Sequence, residues 1–117
     1  MQGQIDMTQT SSAERRAHPR RDVWAAVRFY HPSSGRQLPA RSLNVSRGGM
    51  WMHVPADAPL REGETIRLEE LPGPQGGRYT PAEGQPPLEA TVLRVDRREL
   101  LTSGRVAVGV QFARLLA

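Results

Sequence analysis

The chain has 117 residues, 38% of them hydrophobic and 24% charged, the balance of one soluble globular domain rather than a disordered chain. It has no cysteine, which excludes disulfides, thiolate nucleophiles and cysteine-ligated metals, and no apolar run approaches the roughly 20 residues of a membrane helix, so no membrane insertion is expected. Its net charge is +4 and all 16 basic residues are arginine; eight fall in residues 14–47 against only Glu14 and Asp22, while residues 57–89 carry seven acids against three arginines.

Residues 1–13 read as a flexible polar tail. The tail lacks the apolar centre of a secretion signal, which makes the cytoplasm the default compartment. Residues 14–22 form an arginine arm with Arg15, Arg16, Arg20 and Arg21. Pro19 within it blocks a stable helix and holds His18 extended. From Val23 the apolar period is two, with Val23, Ala25, Val27 and Phe29 on one face of a strand. His31–Gly35 is a turn by composition. A second strand is predicted over Leu38–Val45, ended by Gly48-Gly49, and a third over Met50–Val54. A fourth runs over Glu64–Leu71, a fifth over Leu88–Val95 and a sixth over Arg105–Phe112. Residues 72–87 make a loop in which nine of 16 positions are Pro or Gly, and such long loops are uncommon in compact domains. No segment holds a helical period. The expectation is an all-β domain of six antiparallel strands, either a sandwich or a small barrel that leaves no sheet edge.

Catalytic patterns are lacking. His18, His31 and His53 have no metal-ligand spacing, no serine sits in a nucleophile elbow, and no glycine loop opens a helix. The acids resemble a solvated face, so no enzyme is expected. A binding reading finds more. The arginine arm is extended and polar, and the charge asymmetry points to an anionic partner. In the segment Asn44-Val45-Ser46-Arg47-Gly48-Gly49, residues two apart share a face. Asn44 and Ser46 therefore present an amide and a hydroxyl together, with Val45 toward the core. Gly49 would let the chain turn sharply or a ligand come close. The plainer reading is an Asx or Ser turn that closes a hairpin.

Taken together, Arg16-x-x-x-Arg20 and Asn44-x-Ser46-x-x-Gly49, with 23 residues between Arg20 and Asn44, resemble the two-part signature of the PilZ domain. Gly63-Glu64-Thr65-Ile66 and Val108-Gly109-Val110-Gln111-Phe112 are similar in character to the family's fourth and closing strands. The resemblance covers residues 14–115. It implies a six-stranded antiparallel β-barrel of split-barrel type and cyclic di-GMP as ligand, with no further cofactor. On this analogy Arg16 and Arg20 would grip guanine edges and phosphates, with Arg15 as helper. Asn44 and Ser46 would address a guanine, and Gly49 would hold the turn open. Arginine suits this role, since it forks onto guanine O6 and N7 and onto phosphate oxygens. The implied function is a receptor and adaptor whose loose arm orders over the ligand and relays the signal to an unidentified effector protein. Many members pack a C-terminal helix on the barrel; little or none is expected after Phe112. The alternative is a nucleotide-independent PilZ-type interaction protein of a pilus or secretion assembly, though such proteins usually lack the arginine arm. A single-stranded nucleic-acid barrel would need exposed aromatics for stacking, and the six aromatic residues here argue against a nucleic-acid partner.

Overall fold

The computed structural model describes residues 19–81 and 84–116. The expectations for residues 1–18, Arg15 and Arg16 among them, lie outside the described residues. Among the described residues, eight strands and one helical turn follow one another as β1 (Arg21–Asp22), β2 (Ala26–His31), β3 (Arg36–Val45), β4 (Gly49–Pro55), β5 (Thr65–Pro72), β6 (Arg78–Tyr79), β7 (Leu88–Asp96), α1 (Leu100–Ser103) and β8 (Arg105–Phe112). The six long strands pair antiparallel in the order β3–β2–β5–β7–β8–β4, and β4 pairs back onto β3. That last pairing closes the sheet into a six-stranded barrel.

The barrel follows from side-chain alternation. Val27 and Phe29 in β2, Met50, Met52 and Val54 in β4, and Val106, Val108 and Val110 in β8 all point inward and are buried. Burial of each such side chain contributes about 1.5–3 kcal/mol. Their neighbours Arg28, Trp51, His53 and Ala107 lie on the outer wall. All six predicted strands are present, and the sixth keeps its predicted limits.

The first strand starts at Ala26, three residues later than expected, and the cause is a local bulge. Asp22 pairs with Asn44 and Ala26 with Arg41, so Val23, Trp24 and Ala25 stand opposite only Leu43 and Ser42. One residue is surplus, which interrupts the ladder. The buried hydroxyl of Ser42 fills the interruption. It accepts the Ala25 N–H at 3.1 Å and donates to the Val23 carbonyl. The Val23 N–H donates to the Leu43 carbonyl at 3.2 Å.

Three further departures are local. The segment 72–87, expected to lack secondary structure, contains β6, which pairs with Leu71 and Pro72. The Arg114 guanidinium donates to the Pro86 and Pro87 carbonyls and to the Tyr79 hydroxyl. A turn of helix, α1, joins β7 to β8 and ends at Gly104, whose φ of 70° places it in the left-handed region. His31, read as a turn residue, closes β2 with its ring buried between Ser34 Oγ at 2.7 Å and Glu64 Oε1 at 3.0 Å. Burial raises the Glu64 carboxyl pKa, but hydrogen bonds from His31, the Arg61 N–H and Ser33, with the His31 charge, outweigh it and leave the group below its ordinary 4.5.

Candidate functional site

A bulge in β3 decides what the outer wall presents. Arg41 and Ser42 pair with His53 and Met52, whereas Asn44 and Val45 pair with Trp51 and Met50. Leu43 is therefore the extra residue. Unbroken alternation from Leu38 through Ala40 and Ser42 would send Asn44 into the core. The insertion reverses the phase, so Val45 is buried and Asn44 turns outward. Re-aiming a side chain is a common use of bulges beside functional sites.

Asn44 meets the arginine arm there. The Arg20 Nη1 donates to Asn44 Oδ1 at 3.1 Å. One residue past Asn44 the strand ends and a tight turn follows. The Ser46 N–H donates to the Gly49 carbonyl at 2.9 Å. Its hydroxyl oxygen accepts the N–H groups of Gly48 and Gly49, each at 3.2 Å. Ser46 is only 4% exposed, so its side chain builds the corner rather than standing out from it. Gly49 is also buried, and a Cβ there would fall on the carbonyl oxygen of Val110. The missing side chain lets β4 approach β8 closely at the turn that Ser46 closes. Arg47 is engaged elsewhere: its Nε donates to the Leu116 carbonyl at 2.8 Å, and the Leu116 N–H returns a bond to the Arg47 carbonyl at 2.9 Å.

The corner overlooks a cavity of about 260 Å³ lined by Arg20, Ser46, Gly49, Leu93, Gln111 and Leu115 among others, with no carboxylate among the described residues of its wall. Leu93 and Leu115 are 54% and 53% exposed and together give the cavity an apolar flank. Leu93 owes its position to a bulge in β7. Val92 pairs with Val110 and Arg94 with Gly109, which leaves Leu93 as the surplus residue. Across the outer wall, register places Asn44, Trp51, Gly109 and Arg94 side by side on β3, β4, β8 and β7. The Trp51 ring lies over Gly109, where a Cβ would meet it at 3.1 Å.

A family model described as PilZ domain matches residues 14–117. The chain belongs to the PilZ family. Two solved PilZ-fold structures show the same architecture. The inhibitor of motility from Bacillus subtilis, MotI/DgrA, has a TM-score of 0.63 and 21% sequence identity, covering 88% of this chain and 44% of that one. The present chain thus spans less than half the length of that protein. The PilZ domain of YcgR from Escherichia coli, solved with c-di-GMP, has a TM-score of 0.58 and 17% identity, covering 85% and 78% of the two chains. At these identities the likeness concerns the fold. No curated protein matches the sequence significantly.

Of the PilZ signature residues, Arg20 and Asn44 touch, and Ser46 and Gly49 shape the turn beside them. Sequence reading missed Leu93 and Leu115. A usable signal for Leu93 was present: inward Val92 and Val95 are three apart, and an odd spacing within a strand marks a bulge. Ser42 and Val45 carry the same mark. For Leu115 no local signal exists, because its place follows from the Leu116–Arg47 bonds between distant segments. Among the described residues no helix is long and apolar enough to cross a membrane, and no three His, Asp or Glu side chains group as a metal site.

Proposed function

We propose that this PilZ domain is a receptor for cyclic di-GMP and acts as an adaptor toward an effector protein. One observation carries the reading: the hydrogen bond between Arg20 and Asn44 joins the two halves of the signature at the rim of the Ser46 cavity. The ligand present in the YcgR structure supports the same chemistry.

In this reading Arg20 swings from Asn44 onto a phosphate or a guanine edge, and the amide of Asn44 turns to the base it has freed. Arg15 and Arg16 complete the arm and close over the ligand. Leu93 and Leu115 cover the apolar faces of the bases. Ser46 and Gly49 act as positioning residues that hold Asn44 and the turn in place. A hydrogen bond to a charged group contributes about 1.5–3 kcal/mol, so a forked arginine accounts for a hundredfold or more in affinity. Arm and ligand together form the new surface that the effector reads.

Titration calorimetry with cyclic di-GMP, cyclic di-AMP, GTP and a short single-stranded oligonucleotide tests the proposal. Saturable heat with cyclic di-GMP alone is expected. No heat with cyclic di-GMP overturns the reading in favour of a nucleotide-independent interaction protein, and heat with the oligonucleotide would indicate a nucleic-acid barrel.

A further inference from the structure

A second cavity, of about 370 Å³, opens where the barrel seam is incomplete. The β3–β4 pairing ends at Arg41 and His53, and beyond it Pro39 on β3 and Pro55 on β4 line the gap. A proline on each strand guards such a gap against addition of a foreign strand, so recognition here must use side chains. Those present are unusually one-sided. Arg41 stands opposite His53, and Arg105 opposite Pro55. His53 and Pro55 are two residues apart on the outer face of β4, so both arginines share that face and flank it from either side. Their backbones are roughly 10 Å apart across the sheet and roughly 7 Å along it, within reach of two long side chains that converge on one ligand.

Neither guanidinium is neutralised among the described residues. The Arg41 guanidinium lies over the Trp24 ring at 5.8 Å, and Arg105 donates its backbone N–H to Ser103 Oγ. The nearby carboxylate of Glu99 lies 3.7 Å from His53 Nε2, and the other ring nitrogen, Nδ1, is buried with no partner. The wall is aliphatic, with Pro39, Pro55 and Ala56, which fits branched or proline side chains better than a stacked base.

We propose that this cleft docks an acidic, extended segment of a partner protein, its carboxylates taken by Arg41 and Arg105 and its apolar side chains laid between Pro39 and Pro55. The inference is independent of the messenger reading. The test uses a fluorescein-labelled ten-residue peptide of alternating Glu and Leu, read by anisotropy and by amide shifts of the isotope-labelled full chain. Shifts are expected at Arg41, His53 and Arg105, with about tenfold weaker binding in Arg41→Gln and in Arg105→Gln at unchanged melting temperature. Binding is expected to survive Arg20→Ala, which removes the messenger site. Equal binding of a Gln-for-Glu peptide, unchanged affinity in both arginine variants, loss of binding in Arg20→Ala, or displacement by a single-stranded oligonucleotide would each overturn the proposal.

Discussion

Arg20 and Asn44 stand 24 positions apart and are joined by a 3.1 Å hydrogen bond. The amide oxygen that receives the guanidinium is the group through which the barrel wall holds the end of the arm. An acceptor is what the position demands, and a carboxylate would meet the demand more strongly.

Arg20→Ala is therefore expected to weaken cyclic di-GMP binding by a hundredfold or more in calorimetry, with a melting temperature within a few degrees of the parent. Arg20→Lys keeps the charge but loses the planar fork, so it rescues only part of the affinity. Asn44→Asp retains binding, whereas Asn44→Ala does not. Equal affinity of Asn44→Ala and the parent would remove Asn44 from the site.

Gly49→Ala tests the barrel rather than the ligand. The added methyl meets the Val110 carbonyl, and overpacking of this kind costs about 1–3 kcal/mol. For a domain of this size the melting temperature should fall by roughly 5–15 °C. A variant as stable as the parent would show that β4 can shift away from β8 at no cost.

Ser46→Ala removes the acceptor for two N–H groups of the turn. Leaving buried donors unpaired costs about 1–3 kcal/mol, seen as a lower urea midpoint. Binding should weaken alongside, because Asn44 loses its support. Weaker binding at full stability would instead make the hydroxyl a direct ligand contact.

Acid should weaken the fold through Glu64. Its carboxyl titrates below 4.5 in the folded chain, so the unfolded chain binds the proton more tightly. The resulting stability is complete above about pH 5.5 and is lost as the pH falls through the folded value. Urea midpoints between pH 6 and pH 3 should drop more steeply for the parent than for Glu64→Gln. Parallel curves would mean that the pairing with His31 does not change the proton affinity of Glu64.

The barrel was legible because its information is local. Val106, Val108, Val110 and Phe112 state a strand in four residues, and Met50, Met52 and Val54 state another. The site was legible only in part, since it depends on places where alternation fails. Leu43 and Leu93 each add one residue to a strand; the odd spacings Ser42–Val45 and Val92–Val95 mark the additions, but what each re-aimed side chain meets depends on the partner strand's register. Gly49 and Ser46 were recognised as a pair with the right spacing, but their roles as packing and turn residues rest on the Val110 carbonyl and on burial, neither visible from composition. Ser42 gave no hint of its use, because a serine on an inward face becomes useful only when a surplus residue in the facing segment leaves an amide to satisfy.

Trp51, pressed flat on Gly109 one strand away from Asn44, gives the molecule a built-in optical gauge. An indole in that setting emits according to the polarity of its surroundings, and the other tryptophan, Trp24, lies beneath Arg41 and is 63% exposed. Replacing Trp24 with phenylalanine leaves a single indole whose colour and quenching follow events at the recognition corner, without any attached dye.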